Sequence, residues 1–153
     1  MVTLAKKSAH DIKGYEFDWL ASDANGHVAF FSTAGGGYVP AEFLQDTDAH
    51  DAAIDAILSL NASTRTQFAA DLPSDLKKPV LPSGLRNTWG IMAERGLFAF
   101  DSDPNGGPYR LVAAPEIPTS INELPSQAVK ILSELKLNHI KFALVSIISK
   151  DQF

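Results

Sequence analysis

The chain has no cysteine and no long apolar run. Without cysteine it cannot hold a disulfide framework, a thiol nucleophile or a zinc site that needs thiolate ligands. Its most apolar stretch, 140–149, contains Lys141 and is shorter than the ~20 residues that a membrane-spanning helix needs. The amino end, MVTLAKKSAHDIKG, lacks the apolar core of a signal peptide. These absences predict no membrane partner and a cytoplasmic location.

The chain has fewer basic than acidic residues. The 13 basic residues face 18 acidic ones, which gives a net charge of −5. The average field therefore disfavours nucleic acid and favours a basic partner. The adjacent pairs Lys6-Lys7 and Lys77-Lys78 are not interleaved with aromatic residues, as a platform for single-stranded nucleic acid would require. The sequence predicts no nucleic-acid partner.

Two segments match ligand-binding motifs only in part. Residues 101–106, DSDPNG, resemble the start of a calcium loop, but Val112 stands at the twelfth position, where a bidentate glutamate is needed. An acidic hairpin turn is the favoured interpretation, and weak metal binding is the alternative. The triple glycine at 35–37 is followed by YVP, whereas a phosphate-binding loop continues into a helix with Lys and Ser or Thr. We therefore expect neither a metal nor a cofactor.

The sequence contains no recognisable catalytic constellation. The histidines are scattered at His10, His27, His50 and His139, and a structural or surface role is expected for each. No Gly-x-Ser-x-Gly elbow is present. Carboxylates cannot be paired in space from one sequence, so an acid pair like that of glycosidases stays open. We predict that the chain is not an enzyme and has no catalytic residue, with a small hydrolase as the alternative.

What is present is a strongly patterned stretch, YEFDWLASDANGHVAFFSTAGGGYVP, at residues 15–40. In its first half Tyr15, Phe17, Trp19 and Ala21 alternate with more polar residues, which predicts a strand with one face in a core. Residues 23–26, DANG, favour a tight turn, so the chain is expected to return as a second strand.

The remaining segments predict helices and strands in alternation. The first helix is expected in AHDAAIDAILSL, with Asp48 as its cap and Asn61 as its stop. A second helix is expected from Ser63, with Phe68, Ala69 and Leu72 facing inward. Two more are expected, one after a cap at Asn87 or Thr88 and one from about Pro125. The strands are expected at 97–100 and 109–114, as a second hairpin, and at 140–148.

This order predicts an α+β fold, with an antiparallel or mixed sheet built from two hairpins and a C-terminal strand and covered by three to four helices. We expect residues 1–14 to be a loose lead-in and residues 15–153 to form a single domain. Residues 73–84 form the main loop, and neither side of it is long enough to build an independent core.

Asp48, Asp51 and Asp55 are spaced three and four residues apart, so they share one exposed helix face. The structural interpretation is a solvated face that complements the helix dipole. The functional interpretation is an acidic docking surface.

Two stretches together carry a family resemblance. The first is FDWLASDANGHVAFFSTAGGGYVP. The second is MAERGLFAFDSDPNGGPYRLVAAPEIPTSINELP, with Arg95-Gly96, Phe98, Asp101, Tyr109, Pro115 and Leu124-Pro125 in order. From Tyr15 to about Leu135 the chain resembles small bacterial immunity proteins, which neutralise a cognate toxin delivered between competing cells by polymorphic-toxin or type VI secretion systems.

The resemblance implies a protein that acts by binding a cognate toxin, with occlusion of a basic toxin site as the expected mode. No contact position follows from a motif. We nominate as partner-binding residues the exposed helix acids Asp48, Asp51 and Asp55, together with Tyr38 near the glycine corner and Asp101 and Asp103 in the second turn. A binding module for a protein other than a toxin is a further alternative.

Overall fold

The computed structural model of the chain describes residues 6–153 and confirms the predicted α+β class. Over these residues a mixed sheet of seven strands has the order β3-β5-β4-β2-β1-β6, and β7 pairs with β5. The strands are β1 Asp18–Asp23, β2 Val28–Ser32, β3 Thr66–Phe68, β4 Phe98–Asp101, β5 Tyr109–Pro115, β6 Lys136–Leu137 and β7 Ile147–Ile148. The helices are α1 Ala9–Ile12, α2 Ala41–Gln45, α3 Thr47–Leu58, α4 Thr88–Glu94 and α5 Ser126–Glu134.

The first predicted hairpin is confirmed. β1 and β2 are antiparallel, with Ser22 opposite Val28. The Asp23 carboxylate accepts hydrogen bonds from the backbone amides of Asn25 and His27, both at 2.9 Å. Gly26 has φ +76°, a conformation that glycine adopts at little steric cost. The second hairpin, β4–β5, is also antiparallel, and β4 joins the first hairpin by parallel pairing with β2.

Both faces of the central strands are buried, whereas the alternation in the sequence predicts one buried face. On one face Trp19 and Phe31 stack with ring centroids 4.1 Å apart, under cover of α2 and the C-terminal segment. On the other face Leu20 and Phe30 pack against α3, α4 and α5. Tyr15 precedes β1 and is 68% exposed, so its predicted place in the core is wrong. Two-sided burial leaves little room for polar side chains except at the strand ends.

The helix predicted from Ser63 is wrong. Residues 66–68 form β3, which pairs with β5 at the edge of the sheet. The Thr66 hydroxyl donates to the carbonyl of Gly90 at 2.8 Å, and the amides of Ser63 and Thr64 both donate to the carbonyl of Glu94. These tertiary contacts with α4 hold the segment extended and outweigh its local helical pattern.

Helix boundaries also differ from the prediction in detail. The cap of α3 is Asp46, whose side chain accepts from the amide of Ala49, and Asp48 lies in the first turn. The helix ends at Leu58, before the predicted stop at Asn61. Asn87 caps α4, as predicted, through a bond from the amide of Gly90.

The C-terminal end of the chain is more irregular than predicted, and the described part of the N-terminal lead-in is more ordered. Instead of one strand over 140–148, a 3₁₀ turn at Phe142–Leu144 precedes the short β7. In the predicted lead-in, residues 1–5 lie outside the described residues. Its remainder is not loose, because Ser8 caps α1 in a capping box and Ile12 is 6% exposed.

Candidate functional site

Three polar residues form one row across the centre of the sheet. β1 begins at Asp18, β2 ends at Ser32 and β4 ends at Asp101. The register pairs Asp18 with Ser32 and Ser32 with Asp101. Residues in register on neighbouring strands point to the same face, and the strands lie about 4.8 Å apart. The fold therefore brings two carboxylates from distant parts of the sequence to the two sides of one serine.

Both carboxylates resist ionisation. Burial raises the pKa of Asp18 to about 6, with a contribution from the negative charge of Glu16 and a smaller one from Asp51, while a hydrogen bond with the Ser32 side chain acts in the opposite direction. Burial raises the pKa of Asp101 to about 7, helped by the charges of Glu16, Asp18 and Asp103, while a hydrogen bond with the Ser102 backbone acts in the opposite direction. A carboxylate with lost hydration and like charges nearby is stabilised by holding a proton or by meeting a cation.

Electrostatic repulsion among acids also involves helix α3. The pKa of Asp51 is raised by partial burial and then by the charges of Asp48 and Asp55, and Lys7 opposes the shift. Since Asp51 in turn acts on Asp18, the acids form one electrostatic group. We call this group the acidic face, and its members are Glu16, Asp18, Asp48, Asp51, Asp55, Asp101 and Asp103. Within residues 6–153 the single ion pair joins Arg95 to Glu94, so no member of the acidic face is in a salt bridge.

A groove of about 580 Å³ opens beside this face, and we call it the Trp89 groove. Glu16, Asp18 and Ser32 line one part of it, whereas Leu81, Leu85 and Trp89 contribute apolar surface. Leu85 is 68% exposed. Arg86 also lines the groove and is exposed, so one cation of the chain itself is present there. Apolar walls beside carboxylates suit a lysine or arginine side chain, whose aliphatic stem packs while its charged head is neutralised.

Five of the six nominated residues are linked to one another by pairwise charge effects that run through Asp18. Asp48, Asp51, Asp55, Asp101 and Asp103 all belong to the acidic face. Asp103 has a second role, because its carboxylate accepts from the amides of Asn105 and Gly107 and shapes the turn.

Tyr38 has different neighbours. Its ring centroid lies 5.2 Å from that of Phe153 and 6.0 Å from Nζ of Lys150. It borders a separate cavity whose charged lining residues are Lys13 and Lys150. Tyr38 therefore does not extend the acidic face.

Sequence reasoning missed Glu16 and Asp18 as site residues. The strand pattern placed both on a solvent-facing side, because the opposite positions held the aromatic residues. A signal was available in Leu20 and in the run VAFF at 28–31, where both alternating sets are apolar. A strand apolar on both sides is buried on both faces, so an acid in that strand, here Asp18, lies near a core. Glu16 precedes the strand and is exposed, so this signal does not apply to it.

His50 has a structural role. His50 is 3% exposed, and its Nδ1 accepts a hydrogen bond from the backbone amide of Leu20 at 3.1 Å. Burial lowers its pKa to about 4, so the ring is neutral at physiological pH. Its role is to connect α3 to β1.

Metal binding and similarity to known proteins give no further assignment. Within residues 6–153 no three or more His, Cys, Asp or Glu side chains are grouped closely enough to hold a metal ion. Over the same range, no helix has both the length and the apolar run that crossing a bilayer requires.

Comparison of the chain with protein-family models, curated proteins and solved structures found no match.

Proposed function

We propose that this chain is an immunity protein that binds a cognate bacterial toxin in the cytoplasm and blocks it by covering a basic surface with the acidic face. The observation that carries the proposal is the convergence of acids from β1, α3 and the end of β4 without a salt bridge among residues 6–153. Such a group is costly in the free protein, and a partner's cations remove that cost.

The energetics favour a macromolecular partner. A standard interface buries about 800 Å² on each partner, and a few anchors supply most of its binding energy. The Trp89 groove offers a place for one such anchor, and the exposed acids of α3 supply the charge that steers a basic surface into contact. Because binding a cation favours ionised Asp18 and Asp101, complex formation releases protons near neutral pH.

The decisive experiment is co-expression with the protein encoded immediately upstream. We expect rescue from that protein's toxicity and a stoichiometric complex. The triple variant Asp48→Lys, Asp51→Lys, Asp55→Lys should lose protection and weaken the complex at least tenfold. A matched triple variant, Asp75→Lys, Glu116→Lys, Glu123→Lys, reverses exposed acids that contribute to none of the raised pKa values, and it should protect like the parent.

Both triple variants should keep the parent's circular dichroism spectrum, since all six positions are exposed. Full protection by the α3 variant would exclude the acidic face as the toxin contact. A stoichiometric complex without toxicity would instead identify a binding module for another protein.

A second candidate function is acid–base catalysis by Asp18 and Asp101. The observation in its favour is the raised pKa of both residues, since general acids and bases work best with a pKa near the operating pH. Against it, Asp18 lines the Trp89 groove but Asp101 does not. Under this alternative, Asp18→Asn removes a turnover by the purified chain. Under the immunity proposal, the purified chain has no turnover and the Asp18→Asn variant retains the fold.

A further inference from the structure

A second groove, of about 660 Å³, lies between β3 and the loop that precedes α4. Its lining carries an unusual excess of positive charge for a chain with a net charge of −5. Arg65 comes from the β3 side, Lys77 and Lys78 from the loop, and Arg86 from the approach to α4. Glu94 is the one carboxylate in that lining, and its Oε2 lies 3.9 Å from Nη1 of Arg95. We call this the basic groove.

The basic groove lies beside an edge strand of the sheet. β3 is the terminal strand, and its partner is β5. The carbonyl of Arg65 accepts from the amide of Glu116, and the amide of Ala69 donates to the carbonyl of Val112, both at 2.9 Å. In an antiparallel pair alternate residues turn their backbone groups away from the partner strand. Thr66 and Phe68 are those alternate residues, and both line the basic groove.

The walls of the groove are fixed by hydrogen bonds. The Thr66 hydroxyl donates to the carbonyl of Gly90 at 2.8 Å, which connects β3 to α4. On the other side the Asn87 side-chain amide donates to the carbonyls of Leu76 and Lys78, at 2.8 and 3.0 Å. The loop that carries the lysines is thereby held at the start of α4. The strand edge and the cationic side chains are thus presented together.

We propose that the basic groove binds an extended acidic peptide segment of a protein partner, which adds to β3 as a further strand. The outward backbone groups of Thr66 and Phe68 would pair with the peptide backbone, and alternate acidic side chains would meet Arg65, Lys77, Lys78 and Arg86. Since β3 has three residues, or about 10 Å of strand, the paired part of the peptide is short. This site shares Arg86 with the Trp89 groove but contains no member of the acidic face, and it does not depend on the immunity proposal.

A peptide fits these features better than a nucleic acid. A strand edge offers alternating donors and acceptors to another backbone, which a phosphate chain cannot match. Phe68 is half-buried rather than displayed as a stacking surface, and the net charge of −5 opposes a polyanion. A short acidic peptide segment interacts with the positive charge of the groove and not with the negative charge of the rest of the chain.

The test uses a fluorescein-labelled hexapeptide of alternating Asp and Val and measures its fluorescence anisotropy with the full chain. We expect saturable binding and slower hydrogen exchange at the amides of Thr66 and Phe68. Three probes serve as comparisons: a Lys-Val hexapeptide, the Asp-Val peptide with alternate backbone nitrogens methylated, and a twelve-nucleotide oligo-dT. Each should bind at least tenfold more weakly, because each lacks either the negative charge or the peptide backbone donors.

The variant Arg65→Glu, Lys77→Glu should weaken Asp-Val binding at least tenfold. The matched variant Lys130→Glu, Lys141→Glu changes exposed lysines outside the basic groove and should bind like the parent. Equal binding of the methylated peptide would overturn strand addition. Equal or tighter binding of oligo-dT would overturn the choice of a peptide, and no saturable binding of the Asp-Val peptide would overturn the site. None of these outcomes bears on toxin protection through the acidic face.

Discussion

Replacing Asp101 by asparagine should stabilise the protein at alkaline pH. The carboxyl group has its pKa raised to about 7, first by burial and then by the charges of neighbouring acids. In the unfolded chain it returns to its ordinary value of 3.8. Between these values the folded state holds a proton that the unfolded state has released, so stability falls as pH rises. Asparagine never ionises, and Asp101→Asn removes this cost.

The size of the effect follows from the two pKa values. Each pKa unit corresponds to about 1.36 kcal/mol, so the difference between 3.8 and about 7 sets an upper bound of about 4 kcal/mol at pH 8. Local relaxation and water penetration reduce such costs, because interiors respond with an effective dielectric of about 20. We therefore expect Asp101→Asn to raise the free energy of unfolding by about 2 kcal/mol at pH 8. At pH 4 the gain should shrink to about 0.5 kcal/mol or less, because close to the unfolded pKa of 3.8 the unfolded carboxyl also keeps much of its proton.

Urea denaturation at pH 4 and pH 8, followed by circular dichroism, measures both quantities. Asp71→Asn is the matched control, because Asp71 is exposed and has no part in the raised pKa of Asp101. It should change stability by less than about 0.5 kcal/mol at either pH. A loss of stability in Asp101→Asn at pH 8, or a gain that does not depend on pH, would refute the account of the acidic face as an uncompensated group of charges.

Three further predictions concern the acidic face, the core and the loop. If the acidic face binds the toxin, the affinity for the toxin, measured by calorimetry, should rise at least threefold from pH 5.5 to pH 8. The reason is that Asp18 and Asp101 must lose protons to meet the toxin's cations. An affinity that stays constant or falls with pH would contradict this. Tyr109→Phe should lower the free energy of unfolding by about 2 kcal/mol in urea denaturation, because the phenol accepts from Nε1 of Trp19 at 3.1 Å and donates to the carbonyl of Tyr38 at 2.7 Å. Tyr15→Phe, at an exposed position, is the control and should leave stability unchanged. Asn87→Ala should cost about 2 kcal/mol and speed hydrogen exchange in the loop at 76–79, whereas exposed Asn138→Ala should change neither.

Local patterns predicted the elements whose contacts are close in sequence. The turn at 23–26 has side-chain bonds that span two to four residues, and the Asn87 cap spans three. Helix α5 was expected from about Pro125 and begins at Ser126, with Ala128 and Leu132 buried as its spacing predicts. In each case the sequence signal and the interaction that stabilises the element involve the same few residues.

The failures arise where distant contacts decide the conformation. Residues 66–68 are extended because β5 and α4 bind them, and neither partner is visible in the local pattern. The acids at 48, 51 and 55 could be grouped from helical spacing, but their connection to Asp101 runs through Asp18 on a different strand. That connection depends on β2 and β4 pairing in parallel with Ser32 beside Asp101, a register that no motif specifies.

The carboxylates at the two ends of the central strands have different surroundings, and this contrast supports the proposal that the acidic face binds a partner. At one end Asp23 is fully buried and accepts three backbone hydrogen bonds, from Asn25, His27 and Phe142. A buried carboxylate with that many amide donors is held as part of the fold. At the other end Asp18 and Asp101 have raised pKa values and lie among further acids. Asp18 and Asp101 each have one hydrogen bond that lowers the pKa, from Ser32 and from Ser102, and burial together with the neighbouring acids outweighs it. Raised pKa values of this kind are more common at functional sites, which supports the proposed role of the acidic face.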